Sequence, residues 1–211
     1  MRSMEPEIRS GDVTRGFAAG GLVALACAVV LPSLLQAAGG ALPVPRVLAP
    51  AAWTLPIPLS LAIGGLVAGG ALERGRRGRA AICAAMLAAG VLQTVVLGDA
   101  GRLTGRENPL LVVTIELVTG AGAFAIGGVC AGWLLGAPWS GTRKVAAGFA
   151  GGGLLGSIGG IATFFLARAG AGAALGRTYL FVLLLCQALA VLGPFLVGGV
   201  VIGRVLEEQA P

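Results

Sequence analysis

The chain contains no histidine. This absence excludes haem ligation by histidine, histidine-based metal sites, Ser–His nucleophilic chemistry and proton relays through imidazole. Its four cysteines lie singly in apolar runs and never in Cys-x-x-Cys spacing, so neither a disulfide framework nor a zinc site is predicted. Paired carboxylates and a serine beside a base are also missing. The sequence therefore predicts no metal, no cofactor and no enzymatic activity.

Charge is scarce as well. Charged residues make up 11% of the 211 residues, against about 25% in soluble globular domains. Apolar residues reach 56% and mean hydropathy is +0.92, so the surplus of apolar surface must face lipid. The net charge of +6 comes from basic residues scattered over loops. They do not form one face with interleaved aromatics, so nucleic acid is not an expected partner.

Six long apolar runs are present, separated by polar or proline-rich segments. They predict an all-α membrane protein with a transmembrane domain over residues 16–204, whose spans cover about 16–38, 53–72, 80–97, 109–135, 145–166 and 178–203. The first run is too long for a cleaved secretory signal, so an ordinary first span is expected. Residues 1–15 and 205–211 are predicted to be a cytoplasmic N-terminal segment and a cytoplasmic tail.

The stretch 68–80 is the shortest and most basic connection, and it decides the predicted orientation. It holds one acid and four arginines: Glu73, Arg74, Arg76, Arg77 and Arg79. Lysines and arginines number about ten on the side of the termini and about five on the other side. The positive-inside rule therefore predicts a multi-pass protein of the cell inner membrane with both termini in the cytoplasm.

The even-numbered spans share a Gly-Gly-x-x-x-Gly pattern at their predicted cytoplasmic ends. Its members are Gly64, Gly65 and Gly69 in span two, Gly127, Gly128 and Gly132 in span four, and Gly198, Gly199 and Gly203 in span six. The odd spans begin soon after Arg15, Arg79 and Arg143. The pattern predicts three glycine-rich helical hairpins of similar design. Such glycines serve either tight helix packing or a sliding surface for conformational change.

Glu116 is the one carboxylate well inside a predicted span. An ionisable group there is costly and is by default a functional candidate. The alternative is an interfacial glutamate that reaches outward or pairs with Arg102 or Arg106. Three glutamines lie in the same outer half of the predicted spans, namely Gln36, Gln93 and Gln187. A polar cavity open to the outside is therefore expected, with these four residues as substrate contacts.

Residues 70–77, Gly-Ala-Leu-Glu-Arg-Gly-Arg-Arg, resemble the basic signature loop between spans two and three of the major facilitator superfamily. Residues 116–122 resemble the glycine motif of that family's fourth helix, with Glu116 in place of its arginine, and residues 177–181 resemble the start of its sixth. The resemblance covers one six-helix half of a twelve-span fold. It implies a transporter, with a second copy or a partner subunit needed to enclose a path.

The sequence thus predicts a transporter-type protein that binds or moves a small solute, with Glu116 and Gln93 as the main contacts. Its expected partners are the lipid bilayer and either further copies of itself or another membrane subunit. One alternative is a non-catalytic helical subunit or assembly factor of a larger complex. A lesser one is a rotary-ATPase proteolipid, which the spacing of Gln187 and Gly193 resembles. An intramembrane enzyme is a further alternative, without a candidate mechanism.

Overall fold

A computed structural model describes residues 10–41, 55–72, 75–103, 108–169 and 177–209. Within these ranges the chain is all-helical and contains no strand. Its six helices are α1 (Ser10–Ala41), α2 (Pro56–Gly70), α3 (Gly75–Leu103), α4 (Pro109–Leu134), α5 (Trp139–Arg168) and α6 (Arg177–Glu207).

Five of these helices, all except α2, are long and apolar enough to cross a membrane. The exception, α2, has 15 residues and a length of about 22 Å at 1.5 Å per residue, which is less than the ~30 Å hydrocarbon core of a bilayer. Length and composition therefore indicate an integral, multi-pass membrane protein.

Local sequence explains several helix ends. Asn108 caps α4, because its Oδ1 accepts hydrogen bonds from the backbone N–H groups of Leu110 and Leu111 at 3.1 and 3.3 Å. Pro109 follows at a first-turn position that needs no N–H donor. The turn after α4 is completed by Gly136 with a φ of 72°, a left-handed value that favours glycine.

Part of the arginine-rich stretch 68–80 is helical, because α3 already begins at Gly75. Gly75 opens α3 with a φ of +57°, and Arg76, Arg77 and Arg79 lie in the first two turns of that helix. Arginine and alanine are strong helix formers, so the helix extends beyond its apolar segment. Glu73 and Arg74 lie outside the described residues.

The six helices form a closed ring. Each packs against its neighbours in the chain, and α1 packs against α6. One apolar core receives side chains from all six, and its large, fully buried members include Phe17, Leu72, Ile82, Met86, Phe124, Phe149, Phe195 and Ile202. The core lies in the half of the ring that contains Ser10, Gly75, Leu134, Trp139 and Glu207, which we call the terminal half; the opposite half is the far half.

Glycines of the even helices allow the ring to close tightly. A Cβ on Gly65 would lie 2.9 Å from the carbonyl oxygen of Ile82 in α3, and one on Gly128 would lie 2.7 Å from Cα of Ala146 in α5. The other predicted packing glycines have similar neighbours on the following odd helix: Gly69 against Arg79, Gly132 against Thr142, Gly199 against Phe17 and Gly203 against Ser10. At Gly65, Gly69, Gly128 and Gly132 the neighbours include backbone atoms, so the backbones of the two helices approach closely there.

Polar contacts join the two ends of the chain at the terminal half. The backbone N–H of Ser10 in α1 donates to Oε1 of Glu207 in α6 at 2.7 Å. Lys144 of α5 forms an ion pair with Glu208, just after α6. These contacts link α1, α5 and α6 where the apolar core ends.

Candidate functional site

Polar side chains lie at similar distances from the terminal ends of four helices. Gln93 lies eighteen residues after Gly75, Glu116 eighteen before Leu134, and Ser157 eighteen after Trp139. At 1.5 Å per residue each is about 27 Å from the terminal end of its helix. Gln187, twenty residues before Glu207, is at about 30 Å. We call Gln93, Glu116, Ser157 and Gln187 the polar level.

Gln93 and Glu116 continue buried helix faces. Gln93 follows Met86 and Ala89 by seven and four residues, so the three lie on one face of α3. Glu116 precedes Gly120 and Phe124 by four and eight residues on α4. Met86, Ala89, Gly120 and Phe124 are all buried, whereas Gln93 and Glu116 are only half-buried.

Gln187 shows the same change of environment on α6. It precedes Pro194 and Gly198 by seven and eleven residues, again on one helix face. Both of those residues are buried, and Gly198 packs against the ring of Phe149, whereas Gln187 is exposed. Along these three helix faces, residues are thus buried in the terminal half and more exposed at the polar level.

The carboxylate of Glu116 lies at the contact between α4 and α5. A Cβ on Gly160 of α5 would lie 3.3 Å from its Oε2, so the glycine makes room for the carboxylate. Among the described residues, ion pairs join Arg15 to Asp12 and Lys144 to Glu208. None of the described residues donates a hydrogen bond to the Glu116 carboxylate. Pairing with Arg102 or Arg106 concerns side chains outside the described set.

Ser157 fixes the backbone of α4 beside this carboxylate. Its hydroxyl donates a shared hydrogen bond to the carbonyl oxygen of Glu116, at 2.8 Å, and to that of Gly153 in its own helix, at 3.0 Å. Gly120 leaves the space that the Ser157 hydroxyl occupies. Sequence reasoning did not single out Ser157 as a contact. A usable signal existed. Gln93 lies fourteen residues after Arg79, and Ser157 lies fourteen residues after Arg143, so the two occupy equivalent positions of successive odd spans.

Replacing Ser157 by alanine is expected to lower the free energy of unfolding by about 1 kcal/mol, the net worth of one hydrogen bond between helices. Ser60→Ala is the matched control. Ser60 is equally buried, but among the described residues its hydroxyl bonds to Pro56 of its own helix. A smaller loss is expected, because such a bond within one helix adds little stability. Unfolding in mixed micelles, followed by circular dichroism, measures both. Equal losses would contradict the bridging role of Ser157.

The polar level recurs at equivalent positions of the chain. Glu116 lies eleven residues before Gly127, and Gln187 lies eleven residues before Gly198, the first glycines of two Gly-Gly-x-x-x-Gly patterns. No hydrogen bond joins Gln93, Glu116 and Gln187 to one another within the described part of the chain.

Other polar residues contribute less. The hydroxyls of Thr94 and Thr163 donate to carbonyl oxygens of Gly90 and Gly159 in their own helices. The backbone of Gln36 lies in α1, twenty-six residues after Ser10, or about 39 Å from the terminal end, and its side chain is outside the described set. Gln36 is thus farther from that end than the polar level.

The described residues contain no group of three or more acidic or cysteine side chains that could hold a metal ion. They offer instead one carboxylate, two amides and one hydroxyl at similar distances from the terminal ends of their helices. These groups can bind a proton, a cation or a polar solute. No protein-family model, no curated protein and no solved structure matches the chain.

Proposed function

We propose that this chain is a transporter-type membrane protein that binds and moves a small solute through the polar level. The observation that carries the proposal is the similar distance of Gln93, Glu116, Ser157 and Gln187 from the terminal ends of their helices, beyond the packed core. Polar groups inside a membrane protein are expensive, and they mark ion and substrate pathways. Four of them lie beyond the packed core, three on continuations of buried faces, and this grouping favours a binding site over isolated helix contacts.

The proposal includes an orientation. The sequence assigns the terminal half to the cytoplasmic face of the inner membrane, because the basic residues collect there. The polar level would then be accessible from outside and closed from inside. In this arrangement the helices form three glycine-rich hairpins, and α2 is a short sixth span.

Each polar group has a distinct task in this proposal. The Glu116 carboxylate carries a proton or a monovalent cation. The amides of Gln93 and Gln187 offer both donors and acceptors to the solute. Ser157 positions Glu116 through its backbone. Release toward the cytoplasm requires the terminal half to open, and the glycine contacts between neighbouring helices are surfaces along which that movement can occur. A second copy or a partner subunit can complete the path, as the resemblance to a half transporter implies.

Proteoliposomes test this proposal directly. The purified chain is reconstituted into liposomes that contain a pH-sensitive dye, and proton flux is recorded under a potassium diffusion potential. The measurement is made with and without external ethidium, which serves as a cationic test solute. We expect flux above that of empty liposomes and at least a tenfold reduction in Glu116→Gln, because the amide cannot carry a proton. Size-exclusion chromatography establishes that the variant is folded.

Asp12→Asn is the matched control, since Asp12 is an exposed carboxylate in the first turn of α1. Its flux should equal that of the unaltered chain. Unchanged flux in Glu116→Gln would refute the role of Glu116. No flux from the unaltered chain, with a second membrane protein co-purifying at fixed stoichiometry, would instead support a non-catalytic subunit.

A further inference from the structure

A groove runs between α3 and α4 on the outside of the ring, at its terminal end. It has a volume of about 510 Å³ and is lined by Arg77, Ala80, Ala81, Ala84, Trp133 and Leu134. Ala80, Ala81 and Ala84 lie three, four and seven residues after Arg77, so the four residues form one stripe along α3. The groove therefore has a cationic end and an apolar floor that continues along the membrane span.

Arg77 is held at the mouth of this groove. Its Nε donates to the carbonyl oxygen of Leu134, at the end of α4, at 3.2 Å. The two terminal nitrogens of the guanidinium make no hydrogen bond or ion pair with the described residues. A planar guanidinium with free terminal N–H groups matches the paired oxygens of a phosphate.

Trp133 forms the opposite wall and is 76% exposed. Tryptophans are enriched at the headgroup level of bilayers, where the ring is in lipid and its N–H reaches polar groups. The candidate span Gly75–Val96 begins at this groove, and the candidate span Pro109–Leu134 ends at it. Arg77 and Trp133 therefore lie at the depth of lipid phosphates, and the alanines lie at the depth of acyl chains.

We propose that this groove is a binding site for one anionic phospholipid. Its phosphate contacts the Arg77 guanidinium, its glycerol region packs on Trp133, and one acyl chain follows Ala80 and Ala84. The proposal requires that the helices span a membrane but does not depend on transport or on Glu116. It commits to a lipid rather than a free anion because the apolar floor would gain nothing from inorganic phosphate.

Brominated lipids test the site, because bromine quenches only the tryptophans that it contacts. Full-length protein with Trp53 and Trp139 replaced by phenylalanine reports on Trp133 alone, and a Trp139-only protein reports on ordinary lipid at the same membrane face. Both are reconstituted in phosphatidylcholine with equal small fractions of brominated phosphatidylglycerol or brominated phosphatidylcholine. We expect phosphatidylglycerol to be preferred about fivefold at Trp133, as one basic contact allows, and about equally with phosphatidylcholine at Trp139.

Arg77→Gln should abolish the preference at Trp133, and Arg77→Lys should retain most of it. Arg143→Gln is the charge-matched control, because Arg143 is exposed in the first turns of α5 outside the groove; it should have no effect. Equal losses in Arg77→Gln and Arg143→Gln would show only a diffuse positive surface. Abolition of the preference by 10 mM inorganic phosphate would identify a free-anion site. Either result, or no preference at Trp133, overturns the proposal.

Discussion

Phe195→Ala is expected to lower the free energy of unfolding by about 3 kcal/mol, at the low end of the range for buried phenylalanine. The side chain is fully buried in the terminal half of α6. A Cβ on Gly64 would lie 2.8 Å from its Cζ, and one on Gly21 would lie 3.1 Å from its Cβ, so the residue fills the space between α6, α1 and α2. Truncation leaves a cavity that helices cannot close without moving three interfaces.

The low end of the range applies because the separated helices remain in lipid, where an exposed phenyl ring is not penalised as it is in water. The loss therefore comes from missing dispersion contacts. Phe181→Ala on the same helix is the control. Phe181 is 67% exposed, and its replacement should change stability by at most about 0.5 kcal/mol. Denaturation by sodium dodecyl sulfate in mixed micelles measures both, and equal losses would contradict the packed core.

Gly128→Ala is expected to destabilise the protein by about 2 kcal/mol, within the range for overpacked interiors. The added Cβ would lie 2.7 Å from Cα of Ala146 and 3.0 Å from the carbonyl oxygen of Val145. Both are backbone atoms of α5, so no side-chain rotation relieves the contact. The two helices must separate, and the loss extends along their whole interface.

Gly122→Ala, on the same helix, is expected to leave stability unchanged or to raise it. Nothing lies within 4 Å of a Cβ at Gly122, and alanine is the better helix former by up to about 1 kcal/mol. Thermal unfolding in detergent should therefore show an unchanged or higher midpoint for Gly122→Ala and a lower one for Gly128→Ala. A lower midpoint in both would mean that glycine acts through helix flexibility rather than through close approach.

The helices could be predicted because a long apolar run in a membrane protein has few alternatives to a helix. Their ends were harder to locate. Arg76, Arg77 and Arg79 belong to a polar stretch by composition, yet they continue α3, because a helix need not stop where its apolar face does. The contact of α1 with α6 joins segments far apart in the chain, and hydropathy carries no information about such pairs.

The candidate site was predictable in kind but not in geometry. Glu116 and Gln93 stand out as polar residues in apolar runs. Their distances from the terminal ends of the helices depend on where α3 begins and where α4 ends, which the sequence locates only to within a few residues. Ser157 and Thr163 look alike in the sequence. Only helix packing distinguishes the hydroxyl that reaches α4 from the one that bonds its own helix.

Closure between α1 and α6 has a consequence for how the protein is made. Among the described helices, α1 is synthesised first and its partner α6 last. Phe17 and Ser10 of α1 pack against Gly199 and Gly203 of α6, and these contacts are missing until α6 is present. Until then the five earlier helices form an open arc with an unpartnered helix at one end. The contact between α1 and α6, which closes the ring, therefore cannot form until α6 has been synthesised.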